Sequence, residues 1–138
     1  MAELAKKFVD RAPRYVIRAS DNKFLKFAPD GDYQHIFTTR LVNISISGLA
    51  FITTVDQAPK KGDLIKMEFP IPGGEQIAWW GKVVRIENYS AKKSWQPQSE
   101  DFYDKKEILV AVKFESLPDG HMQRIRSGLL AKAQELAQ

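Results

Sequence analysis

Leu41-Val42-Asn43-Ile44-Ser45-Ile46-Ser47-Gly48-Leu49-Ala50-Phe51-Ile52-Thr53 is the stretch whose pattern decides the fold. Its first half has a period close to two. Val42, Ile44 and Ile46 fall on one face, and Leu41, Asn43, Ser45 and Ser47 fall on the other. The apolar set is expected in a core, so the second set faces something polar. Gly48 interrupts the alternation, and Leu49 to Thr53 starts again as a second strand.

The same alternation continues outward from this pair. Upstream, Tyr15-Val16-Ile17 and Phe24-Leu25-Lys26-Phe27 read as short strands separated by the turn-forming Ser20-Asp21-Asn22, and Asp30-Gly31-Asp32 marks another turn. Downstream, Pro59 to Asp63 is a loop, Leu64 to Phe69 a strand, Pro72-Gly73-Gly74 a turn, and Ile77 to Ile86 a long strand. Trp79 and Trp80 point to opposite faces of that strand, so one is expected in the core and the other half-exposed. Tyr89 to Lys106 is polar and aperiodic, a long loop, and Ile108 to Phe114 is the last strand. The period then changes. Ser116 and Asp119 have the spacing of a capping box, Pro118 suits a first helical turn, and Met122, Ile125, Leu129, Ala133 and Leu136 recur at helical spacing. The fold class is therefore mainly all-β: an antiparallel barrel of six to seven strands with a C-terminal amphipathic helix over 117–137. Residues 1–13 read as a flexible basic segment and 14–138 as one domain.

Composition narrows the chemistry. The chain has 138 residues, 43% of them hydrophobic, enough for one domain with its own core. It has no cysteine, which excludes thiolate metal sites, thiol nucleophiles and disulfides and fits a reducing, cytoplasmic location. His35 and His121 lie far apart, and no nucleophile–base pair or metal-ligand spacing is present, so the sequence points away from an enzyme and from a metal cofactor. The longest uncharged run, Leu41 to Val55, is broken by Asn43, Ser45, Ser47 and Gly48, so no membrane insertion is expected. The net charge is +4, and residues 1–28 carry seven Lys/Arg against three Asp/Glu, whereas the remainder balances fourteen against fourteen. A basic N-terminal segment suits an anionic partner.

Two motifs give that partner a chemistry. Arg14-Tyr15-Val16-Ile17-Arg18 is an RxxxR, with Arg11 just upstream, and Asn43 to Gly48 fits [D/N]xSxxG. In this order, in a barrel-plus-helix context and followed by Val110 to Pro118 running into a helix, they resemble the PilZ domain family over roughly residues 10–131. The resemblance implies a PilZ-like barrel that binds the bacterial second messenger cyclic di-GMP in signalling that governs motility or biofilm formation. Two registers fit: Arg14 with Arg18 at the exact spacing, or Arg11 with Arg14, in which case Asp10 occupies the first arginine position. The implied ligand-binding residues are Arg14, Arg18, Asn43, Ser45, Gly48 and Arg11.

The residue types suit a guanine dinucleotide. A guanidinium forks onto a phosphate, bonds guanine O6 and N7, or stacks over the base. Asn43 both donates and accepts at a base edge, Ser45 offers a short hydroxyl, and Gly48 permits a sharp turn or the close approach of a base. Sharing a face at period two, Asn43 and Ser45 would form a polar floor. With no output domain in the sequence, the expected response is ordering of the N-terminal segment, read by a protein partner in trans. The alternative is a degenerate PilZ-like adaptor that binds no nucleotide and acts through protein contacts. A nucleic-acid-binding barrel is disfavoured, because residues 29–138 are charge-neutral and carry no aromatic RNA-binding motif.

Overall fold

The computed structural model describes residues 14–18, 20–72, 74–89 and 107–137. The expectations for a flexible segment at 1–13 and for a loop through 90–106 lie outside these residues. Seven strands, β1 (Tyr15–Val16), β2 (Phe24–Pro29), β3 (Phe37–Ile44), β4 (Gly48–Thr54), β5 (Leu64–Pro70), β6 (Gln76–Asn88) and β7 (Glu107–Phe114), precede helix α1 (Asp119–Ala137). All pairings are antiparallel. The sheet runs β3-β2-β5-β6-β7-β4, and a further β3–β4 pairing closes it into a six-stranded barrel, with β1 added beside the end of β3. Closure removes the exposed edges an open sheet of this size would carry.

Inward-pointing residues fill the barrel: Leu25 and Phe27 from β2, Ile44 from β3, Phe51 from β4, Met67 and Phe69 from β5, Val83 from β6, and Val110 and Val112 from β7. Phe27 packs on Phe51 with ring centroids 4.8 Å apart, and Ile125 of α1 plugs the barrel end fully buried. Trp79 packs against this core and donates its indole N–H to Glu115 O at 2.7 Å. Trp80 lies on the outer face, with Lys66 Nζ 5.3 Å from its ring centre.

Three local expectations are corrected. Leu41 is buried in the core and Val42 is not, because the β3–β4 register shifts between Leu41 and Asn43; this bulge reverses the alternation that a regular strand would keep. Ser116 does not cap the helix. It sits at φ +48°, where the chain reverses out of β7, and the first helical bond runs from Met122 N to Pro118 O, so Pro118 occupies the N-cap. Ala133 and Leu136, expected on the apolar face of α1, are exposed, because the helix packs on the apolar core only as far as Leu129, and beyond it Lys132 makes a polar contact with Asp21.

Candidate functional site

On the outer face of the barrel, residues paired across neighbouring strands line up in rows. One row runs Val16, Asn43, Ala50, Ala111 and Arg85 across β1, β3, β4, β7 and β6. The next runs Gly48, Lys113 and Lys82. Ala50, Ala111 and Gly48 are small, so this face is hollowed into an open cleft of about 220 Å³. Arg14 and Asn43 stand at one side, Arg85 and Lys113 at the other, and Ser45 and Ser47 close the turn end.

The structure thus brings together four of the residues expected from sequence: Arg14, Asn43, Ser45 and Gly48. Arg18 is not among them. It lines a separate cleft with Lys23, Arg40 and Tyr89, while Val16, paired to Asn43, lies between it and Arg14. Arg11 lies outside the described residues.

Each side chain in the cleft has a distinct state. Asn43 is half-buried and lines the cleft, and its amide supplies both a donor and an acceptor there. Ser45 is otherwise engaged. It is 4% exposed; its N–H donates to Gly48 O at 2.8 Å, and its Oγ accepts from Ser47 N at 3.2 Å and shares a hydrogen bond with Ser47 Oγ at 3.0 Å. Its hydroxyl therefore closes the Ser45–Gly48 turn, instead of lying on the strand face with Asn43 as period two implied. Gly48 is required for a similar reason. A Cβ there would lie 2.1 Å from Val112 O, so the close approach it permits is by the β7 backbone.

Arg85 and Lys113 were missed by motif reading. The alternation of Val110 to Lys113 does put Ala111 and Lys113 on one face, but nothing in the sequence says that this face lies beside Gly48. Arg85 enters through a second bulge, between Val83 and Arg85, that brings it opposite Ala111. Its Nε is 2.9 Å from Glu87 Oε2, which steadies the guanidinium while leaving its other N–H groups to face an anion. Arg14, Arg85 and Lys113 make the cleft cationic above its floor of small residues. Chemically it can hold a phosphate between guanidinium groups, with a planar ring resting on the small-residue floor. Among the described residues no group of three or more His, Asp or Glu could hold a metal ion, and no helix is long and apolar enough to cross a membrane.

Arg14 directly precedes β1, and Asp21 makes three contacts beside that strand. The Asp21 carboxylate accepts from Tyr15 Oη at 2.6 Å, from Arg18 N at 2.8 Å, and from Lys132 Nζ of α1 at 3.1 Å. Burial works against its charge, but the hydrogen bonds from Tyr15, the Arg18 backbone and Lys132 outweigh it and hold its pKa below the usual carboxylate value. Burial, and then the same hydrogen bond and negative charge, raise the pKa of the Tyr15 phenol.

A family model for the PilZ domain matches residues 14–131. Among solved structures, the chain is similar to the Escherichia coli YcgR PilZ domain with c-di-GMP, at 11% identity and a TM-score of 0.67 over 92% of this chain and 95% of that one. It is similar to the K. pneumonia MrkH–c-di-GMP complex at 16% identity and a TM-score of 0.71, covering 93% of this chain and 53% of that one. It also resembles the Bacillus subtilis inhibitor of motility MotI/DgrA, at 17% identity and a TM-score of 0.60 over 90% and 53%. The chain thus spans about half the length of the last two. No curated protein matches it.

Proposed function

This chain belongs to the PilZ domain family, and from that premise we propose that it is a receptor for cyclic di-GMP, which binds across the Arg14–Asn43–Arg85–Lys113 cleft and signals to a protein partner. One observation carries the reading: three cationic side chains, Arg14, Arg85 and Lys113, line a cleft floored by Gly48, Ala50 and Ala111, with Asn43 beside it. A cyclic dinucleotide has what such a cleft takes, namely phosphates for the guanidinium groups, a purine edge for the amide and a flat ring for the floor. The cleft is smaller than a typical closed ligand pocket, so it grips one face of the molecule. MrkH and the YcgR PilZ domain, solved with c-di-GMP, support the ligand class.

The finer part of the reading is the output. Binding at Arg14 orders the N-terminal segment, and a partner in trans recognises the changed surface. Hydrogen exchange of residues 1–14, free and with ligand, should then show protection that appears only with cyclic di-GMP, whereas the Ile17 amide, bonded to Val42 O, is protected in both states. Binding and release need no chemical step, so the proposed role is that of a receptor and not of an enzyme.

A second reading, an adaptor that binds no nucleotide, is favoured by the placement of Arg18 away from the cleft. Calorimetric titration separates the two. The receptor reading expects saturable binding of cyclic di-GMP and none of GTP or single-stranded DNA. Absence of cyclic di-GMP binding selects the adaptor, and salt-sensitive DNA binding selects a nucleic-acid surface.

A further inference from the structure

Strand β1 is only two residues long, and three features attach it to β3: Tyr15 opposite Ile44, Val16 opposite Asn43, and the bond from Ile17 N to Val42 O at 2.8 Å. So short a strand, half of it exposed, is marginal by itself. Yet it carries Arg14 to the rim of the cleft. What supplements it is Asp21, whose side chain is 10% exposed and whose carboxylate grips the strand at Tyr15 Oη and its outgoing end at Arg18 N. The other carboxylate oxygen, Oδ1, takes Lys132 Nζ, 16% exposed, from the outer half of α1. The helix has its own fixed seat beside this contact: Gly128 lies so close to the Ile71–Gly74 turn that a Cβ there would be 2.4 Å from Pro72 O. Helix, carboxylate and strand therefore form one mechanical chain, and it ends at Arg14.

We infer that Asp21 and Lys132 are positioning residues for the nucleotide cleft: they hold β1 against β3 and thereby set Arg14, so the seating of the C-terminal helix and ligand affinity are linked. The inference rests on the cleft being the nucleotide site. Neither residue lines that cleft, so neither touches the ligand. Their effect comes through population. Ligand that needs β1 seated binds more weakly by the fraction of molecules in which the strand is loose. Linkage is reciprocal, so a partner that lifts α1 from the barrel lowers ligand affinity, and ligand tightens α1 against it.

The test is a double-mutant cycle on Asp21→Asn and Lys132→Met, with Lys132→Arg as the conservative variant and Lys61→Met, on an exposed loop, as the control for lost charge. Two quantities are measured on each full-length protein: cyclic di-GMP affinity by calorimetry, and exchange of the Ile17 amide without ligand. Each of Asp21→Asn and Lys132→Met should weaken binding about three- to ten-fold, and the double variant should be no weaker than the poorer single one. Ile17 exchange should accelerate by a similar factor, Lys132→Arg should recover most of both, and Lys61→Met should alter neither. Faster exchange with wild-type affinity would overturn the inference, because the strand would then be loosened without consequence for the site. Unchanged exchange would overturn it too, since Asp21 would not be holding β1. If the wild-type protein binds no cyclic di-GMP, the receptor reading fails separately, and the exchange measurement alone decides whether the Asp21–Lys132 tether holds the strand.

Discussion

Asn43 and Arg85 stand in one cross-strand row of the barrel, separated only by Ala50 and Ala111. Three inter-strand spacings put their backbones at most roughly 14 Å apart. That is the width of the floor on which a flat ligand rests, and both residues between them are alanine. Ala111→Leu should fill it: cyclic di-GMP affinity is expected to fall at least about ten-fold, while stability changes by less than about 1.5 kcal/mol, because the added atoms point outward. Calorimetry alongside thermal unfolding checks both halves.

The three rim cations should each contribute to binding. Arg14→Ala, Arg85→Ala and Lys113→Ala should each cost about 1.5 to 3 kcal/mol of binding, the range of a hydrogen bond to a charged group. Arg14→Lys should restore only part, for want of the planar fork. Arg18→Ala should leave affinity nearly unchanged, because its side chain lines another cleft. A large loss from Arg18→Ala would show that the ligand extends beyond Val16 into that second cleft.

The hairpin residues should divide by what they hold. Asn43→Ala should weaken binding with little effect on stability, since the side chain is only half-buried and lines the cleft rather than the core. Ser45→Ala should destabilise by about 0.5 to 1.5 kcal/mol, because it removes the hydrogen bonds by which a buried hydroxyl closes the turn. Ile44→Ala should cost about 2 to 5 kcal/mol as a core truncation. Urea unfolding of the three variants gives the ranking.

The Asp21 cluster predicts a pH window. A carboxyl whose folded pKa lies below its unfolded one stabilises the fold above the unfolded value, near 4, and loses that contribution as pH falls through the folded value. Tyr15 and Lys132, both raised, stabilise below their unfolded values, near 10, and lose their contribution as pH rises through the folded ones. The stability difference between wild type and Asp21→Asn should therefore be largest between about pH 5 and 9 and close on the acid side below about pH 4. Denaturation across this range measures it, and a gap constant from pH 2 to 7 would contradict the assigned pairing.

Most strands were legible in the sequence because alternation is local, although Phe37 to Arg40, the first half of β3, was not read as one. Leu64 to Phe69 and Ile108 to Phe114 need no knowledge of their neighbours to read as strands, and the change to helical spacing after Pro118 is equally local. The bulges were not legible. Inserting Val42 into β3 and Val84 into β6 exchanges inward and outward residues only relative to a partner strand, and the partner is fixed by the closed barrel. The site divides in the same way. Arg14, Asn43 and Gly48 belong to contiguous motifs, whereas Arg85 and Lys113 reach the cleft through pairings with β7 and β4 that no motif encodes. Arg18 shows the converse, because spacing joined it to Arg14 while the run of β1 past Asn43 separates them.

The most direct test of the central claim is to map backbone amide chemical shifts during titration with cyclic di-GMP. The account predicts that the largest changes fall on Arg14, Asn43, Ser47 to Ala50, Arg85 and Ala111 to Lys113, with Lys23 and Arg40 almost unmoved. Saturable binding whose changes centre on Arg18, Lys23, Arg40 and Tyr89, leaving the Gly48–Ala111 floor unperturbed, would contradict it.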